Sequence, residues 1–506
     1  MKNFPEVVSQ WPQAANNYAA LEKSVLYKDL EVGGFAIKVQ CNPARIVSSL
    51  ANIDPGYIAR RPCFLCKSNM PEHQKGVPFY SHTGGHSYEI VPNPFPIFKT
   101  HLTIPAVEHT RQEIGGRFED MLDLAQALPD FVVFYNGPAS GASAPDHMHF
   151  QAGEKGFIPI EHGFESIERD YFHVGKSGKM SMMRTYIPGT IVLESPDAAS
   201  CARLFYRLLD SLPIREGQYE PMLNIFCWTL ADGSIICVIF NRCKHRPDCY
   251  YEPDGPDQYK MTPGCVDLSG VLIIPRREDF DRIDGEVAAQ ILSQVCDNSA
   301  PEDYETFLEN MRDAYKRKSK VVRVLLSDAD YVKIRFLSGY QCGQCDEAAA
   351  QTLTTEESFW AGAGKVLWRA HRYDALRFMP GLGSRNGRYE ITVADRRLVY
   401  SGSVDFVMED GRMLVIANVE IEKYIAYELD TMDLSAFSRK ELNQKVIARR
   451  GEVLSYIDKG VRKSYDVALS PNFKGVKPLV SVAARNAVTE TFGEVIDDHG
   501  HIRIEY

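Results

Sequence analysis

The run Asp146-His147-Met148-His149-Phe150-Gln151 sets two histidines and a glutamine at a spacing of two, directly after the small-residue loop Asn136-Gly137-Pro138-Ala139-Ser140-Gly141-Ala142-Ser143-Ala144-Pro145. In an extended strand, residues i, i+2 and i+4 share a face, so His147, His149 and Gln151 would meet a single ligand. Two chemistries fit such a trio. An H-x-H pair can ligate a metal. Alternatively, an imidazole nitrogen of His149 attacks phosphorus to form a covalent phosphoramidate. In that case the Gln151 amide would donate to a phosphate oxygen and the loop N–H groups would cradle the rest, with small side chains letting the backbone approach closely.

A second cluster follows Arg60-Arg61-Pro62, where Cys63-Phe64-Leu65-Cys66 reads as half of a zinc site, as a redox pair, or as two unlinked buried thiols. If zinc is bound, the remaining ligands come from His73, His82, His86, His101, His109, His147 or His149, and spacing does not choose among them. The third cluster, Arg242, Lys244, His245 and Arg246 in Asn241–Pro247, is either a phosphate clamp or a solvated basic loop.

The elements that must position these groups are legible in part. Helical spacing surrounds Ala19-Ala20-Leu21 and alternation marks Phe35–Val39 as a strand. Ser87–Val91 and His101–Pro105 read as a hairpin around Asn93-Pro94-Phe95-Pro96, with a helix over about 116–128 and a strand at Phe131–Tyr135 leading into the small-residue loop. A second mixed segment carries a helix near Ala198–Leu212 and strands at Met222–Leu230 and Ser234–Phe240. Thr100–His109 and Gly270–Asp279 share Leu, Ile, Pro and Glu at matching places, which suggests a duplicated unit whose second copy has Asp279 in place of His109 and lacks any H-x-H. The basic run Tyr315–Lys320 reads as a boundary. Beyond it, short strands at Tyr389–Val393, Ser403–Met408 and Met413–Ile416, then a helix over about Arg439–Ile457, form a separate α+β unit.

Composition bounds the answer. With 506 residues, 44% apolar and 25% charged, the chain is long enough for two to four ordinary globular domains. A net charge of -10 argues against coating a nucleic acid, yet a single nucleotide needs only a few local donors. No signal segment and no run of about 18 apolar residues is present, so a cytoplasmic protein without a membrane partner is expected. Twelve irregularly spaced cysteines suit thiols and a metal better than a disulfide scaffold.

Residues of about 55–315 resemble the histidine-triad (HIT-like) superfamily, in its duplicated branch of galactose-1-phosphate uridylyltransferase, diadenosine tetraphosphate phosphorylase and GDP-hexose phosphorylase. The resemblance rests on Cys63-x-x-Cys66, Asn93–Pro96, His101–Pro105 through His109, and the run from Asn136 to Gln151. It implies that His149 is the nucleophile and that Gln151 holds the phosphate. It further implies that Cys63, Cys66, His109 and His147 bind a structural zinc, that Asn93 and Phe95 line the nucleotide pocket, and that Asn136, Ser140, Gly141 and Ser143 meet phosphate. About 321–506 resemble part of the SpoIID/LytB family of peptidoglycan lytic transglycosylases and amidase enhancers, through Asn418–Ile425, Lys440–Arg450 and Ala487–Ile496, with Glu428 the sole glutamate in the Tyr427–Asp433 window where that family carries its acid.

The expected architecture is therefore α+β. Two HIT-like antiparallel-sheet halves, 1–160 and a degenerate 161–318, precede a separate and incomplete SpoIID/LytB-like α+β domain, 319–506. The expected activity is transfer of a nucleoside monophosphate from an NDP-sugar or dinucleoside polyphosphate through a nucleotidyl-histidine. The alternatives are a zinc-stabilised nucleotide- or glycan-binding protein without turnover, and a lytic enzyme acting through a C-terminal unit that meets muropeptide or glycan.

Overall fold

The computed structural model describes residues 4–296, 301–316, 320–337, 339–343, 353, 355–380, 387–393, 396–459, 464–468, 480–496 and 502–504. The chain forms two compact units, Met1–Tyr315 and Lys316–Tyr506. Of the basic run at the division, 317–319 lie outside the described residues.

The first unit contains strands β1 (Leu26–Val32), β2 (Phe35–Cys41), β3 (Val77–Tyr80), β4 (Ser87–Pro92), β5 (His101–Pro105), β6 (Phe131–Asn136), β7 (His149–Glu154), β8 (Arg169–Gly175), β9 (Gly178–Met183), β10 (Ile191–Ser195), β11 (Leu223–Thr229), β12 (Ile235–Asn241) and β13 (Val271–Ile274). Ten of them make one antiparallel sheet in the order β3-β4-β5-β7-β6-β11-β12-β10-β9-β8. The order hides a repeat. Three strands in sequence, a helix (Phe118–Ala127 or Ala198–Ser211), then two strands inserted in reversed order occur once as β3 to β7 and again as β8 to β12. The two copies join edge to edge through β6 and β11, from Val133 opposite Cys227 to Asn136 opposite Asn224. Joining the copies in this way removes one exposed edge from each.

This is the α+β, antiparallel-sheet architecture expected, but the copies are not those suggested by the match between Thr100–His109 and Gly270–Asp279. The counterpart of β5 is β10. β13 lies instead in a separate three-stranded sheet, parallel to β2. Short Ile/Leu/Val runs recur because any buried strand needs them, so a few shared residues did not mark homology of position. Asp279 is correspondingly structural: it is buried and paired to both Arg276 and Arg282.

Alternation across the large sheet feeds two cores. One face packs beneath the two repeat helices, whose Phe118 and Phe205 rings stack at 3.6 Å. The opposite face, carrying Val132 and Phe134, packs against β2, β13 and the helix Gly285–Val295. Met148, Phe150 and Ala152 belong to the first face. His149, Gln151 and Gly153 consequently point to the second.

Among the described residues the second unit has two six-stranded sheets, one centred on Ser403–Glu409 and Arg412–Glu420, the other on Glu356–Gly362 and Tyr331–Phe336, and a two-stranded one, Glu494–Ile496 with Ile502–Ile504. The helices Ile421–Leu429, Arg439–Lys459 and Val482–Glu490 pack with them in one apolar core. Among the described residues of the chain, no helix is long and apolar enough to cross a membrane.

Candidate functional site

β7 begins at His149, so His147 stands in the turn before the strand rather than on it. The expectation that all three side chains share one face is corrected accordingly. The His147 ring turns away to the cysteines, and only His149 and Gln151 remain on a common face.

His147, His109, Cys63 and Cys66 bring their ligand atoms within 4.8 Å of one another. His147 Nδ1 lies 3.3 Å from Cys63 Sγ and 3.6 Å from Cys66 Sγ, and His109 Nδ1 lies 3.1 Å from Cys66 Sγ. A tetrahedral ion with bonds of about 2.3 Å to sulfur and about 2.0 Å to nitrogen separates its S and N ligands by about 3.5 Å, so the cluster has the right size for one. The tautomer is right as well. His147 Nε2–H donates to the Ala106 carbonyl at 2.8 Å, which leaves Nδ1 as a lone-pair donor facing the thiols. Arg61 pairs with Asp146 and covers the Phe64 ring, tying the cysteine arm to the turn that carries His147. Both cysteines are free thiols. The other histidines of the pool are engaged elsewhere or lie outside the cluster: His86 pairs with Asp120, and His82 stands edge-on to Tyr80.

His149 is buried, and its Nδ1–H donates to the His147 carbonyl at 2.9 Å. Burial holds its imidazole down to about 4, so the ring is neutral near pH 7 with its proton on Nδ1 and a lone pair on Nε2. Both backbone polar groups of His149 are met by the side chain of buried Gln112.

Gln151 is oriented by a directed relay. The Ile97 N–H donates to His101 Nδ1 at 3.2 Å, so His101 carries its proton on Nε2 and donates it to Gln151 Oε1 at 3.1 Å. Burial, then the nearby Arg45 charge, hold His101 down to about 3, which keeps this arrangement neutral. Asn93 Nδ2 also reaches Gln151 Oε1, at 3.4 Å, and donates to Thr103 Oγ1 at 2.9 Å. With its oxygen occupied, Gln151 presents its amide as a donor.

The Asn93–Pro96 turn is pinned throughout. Four successive carbonyls, those of Pro94, Phe95, Pro96 and Ile97, accept from Asn17, Arg45, Asn42 and Gln40 at 2.7, 2.8, 3.0 and 3.1 Å. The Phe95 N–H closes the turn on Asn93 Oδ1. Sequence reading missed these clamps; the available signal was Gln40 and Asn42 standing polar within the apolar run of β2 and its end.

The small-residue loop is held by β11 and by the chain that follows β12. Asn136 Oδ1 accepts from Asn224 Nδ2 and from the Cys265 N–H, both at 2.7 Å, so its carboxamide serves the scaffold. Gly141 takes φ +86°, and a Cβ there would sit 2.7 Å from the Pro263 carbonyl oxygen, so only glycine fits. Its N–H donates to His245 Nδ1 at 3.3 Å. The Ser140 hydroxyl is buried and has no hydrogen-bond partner among the described residues, and Ser143 is half-buried. Beneath the loop, Glu220 accepts from the Tyr135 hydroxyl at 2.6 Å and the Ile114 N–H at 2.7 Å.

Of the basic cluster, only His245 reaches this loop. Arg242 is buried with all five N–H groups spent on Asn224 and on the carbonyls of Val295, Pro263, Lys244 and His245, so none is left for a phosphate. Lys244 pairs with Asp248 at the surface, and Arg246 serves Thr262 and the Ala51 carbonyl. In the second unit, Glu428 accepts from Tyr424 and Arg449 on one oxygen and from Arg449 on the other, a bidentate pair that leaves it poorly placed to protonate a glycosidic oxygen.

A sequence family described as Domain of unknown function (DUF4922) matches residues 4–154. No curated protein matches. Among solved structures, the chain is similar to yeast Ap4A phosphorylase Apa2 at 17% identity and a TM-score of 0.39, over 57% of this chain and 97% of that one. The same yeast protein in complex with AMP matches at 16% identity and a TM-score of 0.32, over 56% and 95% of the two chains. Its complex with Ap4A matches at 16% identity and a TM-score of 0.34, over 56% and 96%.

Proposed function

We propose that the first unit is a nucleotidyltransferase or phosphorylase that passes a nucleoside monophosphate from an NDP-sugar or a dinucleoside polyphosphate to an acceptor phosphate through His149. One observation carries the reading: a buried, neutral imidazole has its Nδ1–H committed to the His147 carbonyl and keeps its lone pair on Nε2. In the first step Nε2 attacks phosphorus, the N–P bond forms, and the P–O bond to the departing sugar phosphate or nucleotide breaks. The positive charge that the ring acquires is eased by the Nδ1–H bond already in place. In the second step an oxygen of the acceptor attacks phosphorus and the N–P bond breaks, returning neutral His149.

The remaining groups take supporting roles. Gln151 donates its amide to a non-bridging phosphate oxygen, and Ser140 and Ser143 supply hydroxyls. Phe95, on its pinned turn, meets the nucleoside, and Asn93 holds that turn and the Gln151 oxygen in place. Cys63, Cys66, His109 and His147 would hold zinc, which when bound supplies structural cross-linking of the arm that carries His147. Arg242 and Asn136 act in the scaffold only. The second unit is assigned no reaction.

The test is incubation with a panel of α-32P-labelled NDP-sugars and dinucleoside polyphosphates. Label retained on denatured protein, labile to acid, stable to base and absent from His149→Ala, is the expected result. No retained label and no phosphate-dependent nucleotide release from any donor would leave nucleotide binding without turnover as the better account.

A further inference from the structure

Antiparallel pairing between β6 and β7 runs from Phe131 opposite Glu154 to Phe134 opposite Gln151. Continued in register, the next pair on the same face would be Asn136 and His149, each bonding to the other. They do not. The carboxamide of Gln112 stands in that rung, accepting from the His149 N–H at 2.8 Å and donating to the His149 carbonyl at 3.0 Å and the Asn136 carbonyl at 2.9 Å. Its oxygen and both its N–H groups are thereby used, and the residue is fully buried. A side-chain amide has replaced a backbone rung and ends the ladder where the small-residue loop must leave the sheet.

The backbone of Gln112 is fixed in turn. Its N–H donates to the Pro145 carbonyl, its own carbonyl accepts from the Tyr219 hydroxyl at 2.7 Å, and two residues earlier the Thr110 carbonyl accepts from the Met148 N–H at 2.7 Å. The segment that supplies His109 to the thiol cluster thus also clasps both ends of the loop.

We propose that Gln112 is the positioning residue of the site: it sets the separation of β6 and β7 and so fixes where His149 projects relative to the loop. This deepens the reading of His149 as nucleophile and rests on it. Gln112 touches neither phosphorus nor nucleoside, so its loss should slow the chemical step and spare binding. A displacement of about 1 Å in a reacting group costs on the order of 100-fold in rate.

The experiment compares full-length wild type, Gln112→Met and Gln112→Glu. Methionine keeps the volume and removes every hydrogen bond; glutamate still accepts from the His149 N–H but, even protonated, offers the two carbonyls a single donor in place of two. Three quantities are read: residue-resolved hydrogen exchange at the His149 amide, single-turnover labelling with the donor that labels wild type against equilibrium affinity for that donor's nucleotide, and zinc content. Expected for Gln112→Met are exchange at His149 faster by at least tenfold, labelling slower by about 100-fold, affinity within threefold and unchanged zinc. Gln112→Glu should retain His149 amide protection yet label slowly, and it decides alone if Gln112→Met does not fold. Unchanged protection in Gln112→Met, or labelling within threefold of wild type in Gln112→Glu, overturns the proposal. If wild type takes no label at all, the nucleophile reading fails by itself, and the exchange result in Gln112→Met still decides whether Gln112 holds the strands apart.

Discussion

Glu220 gives the sharpest physical prediction, because it is a buried carboxyl beneath the small-residue loop that, among the described residues, has two neutral donors and no cation bonded to it. Burial pushes its carboxyl from the usual 4.5 up to about 8, against the smaller opposing effect of the bonds from Tyr135 and Ile114. The folded protein therefore keeps the proton between pH 4.5 and 8 whereas the unfolded chain releases it. Because the native state binds more protons in that window, stability must fall as pH rises through it and level off above the folded value. For values of 4.5 and about 8, the contribution of this one group declines by about 2 kcal/mol between pH 6 and pH 8. Glu220→Gln cannot ionise, accepts from Ile114 with its oxygen and can donate to the Tyr135 hydroxyl with its nitrogen. Urea unfolding of the full chain, following the transition that exposes buried Trp228, should show wild type losing about 2 kcal/mol more than the variant over that interval. Parallel decline of the two proteins would refute the argument, since it would mean that Glu220 is already ionised in the fold at pH 6.

Other substitutions test other links. His109→Ala removes a nitrogen ligand, and zinc bound after exhaustive dialysis should fall below half of the wild-type content by elemental analysis; full retention would remove His109 from the site. Gly141→Ala places a Cβ 2.7 Å from the Pro263 carbonyl at a positive φ, so donor labelling should slow at least tenfold while the melting transition shifts little; unchanged labelling would show that the loop accommodates the methyl elsewhere. Phe118→Ala opens the stack with Phe205 between the repeat helices and should cost about 3–5 kcal/mol in urea unfolding, with a loss under 1 kcal/mol contradicting the tight packing described.

Local pattern carried much of this site. The Cys63/Cys66 spacing, the strands flanking the Asn93–Pro96 turn, and the approach of β6 to the loop are set by short-range chemistry, and they were readable where proline, glycine and alternation punctuate the chain. Side-chain direction at a strand entrance was not. His147 and His149 obey a period of two in sequence, yet β7 begins between them because the Met148 N–H leaves the ladder with β5 for the Thr110 carbonyl, more than thirty residues away in the chain, while the Ala106 carbonyl accepts from the His147 ring. The repeat was also obscured: what is duplicated is strand order, and β12 carries Ile235 to Phe240 where β7 carries His149 and Gln151, so no motif survives to align. Gln112 and the four clamps on the Pro94–Ile97 carbonyls are polar residues whose partners lie far along the chain, and only the fold tells them from surface amides.

A covalent bond from His149 to phosphorus is decided by peptide mapping of protein labelled with α-32P donors and digested at alkaline pH. One acid-labile labelled peptide per chain is expected, containing Met148 to Gln151, with the modification localised to His149 and lost in His149→Ala. Label on any other residue, or label undiminished in His149→Ala, would contradict it.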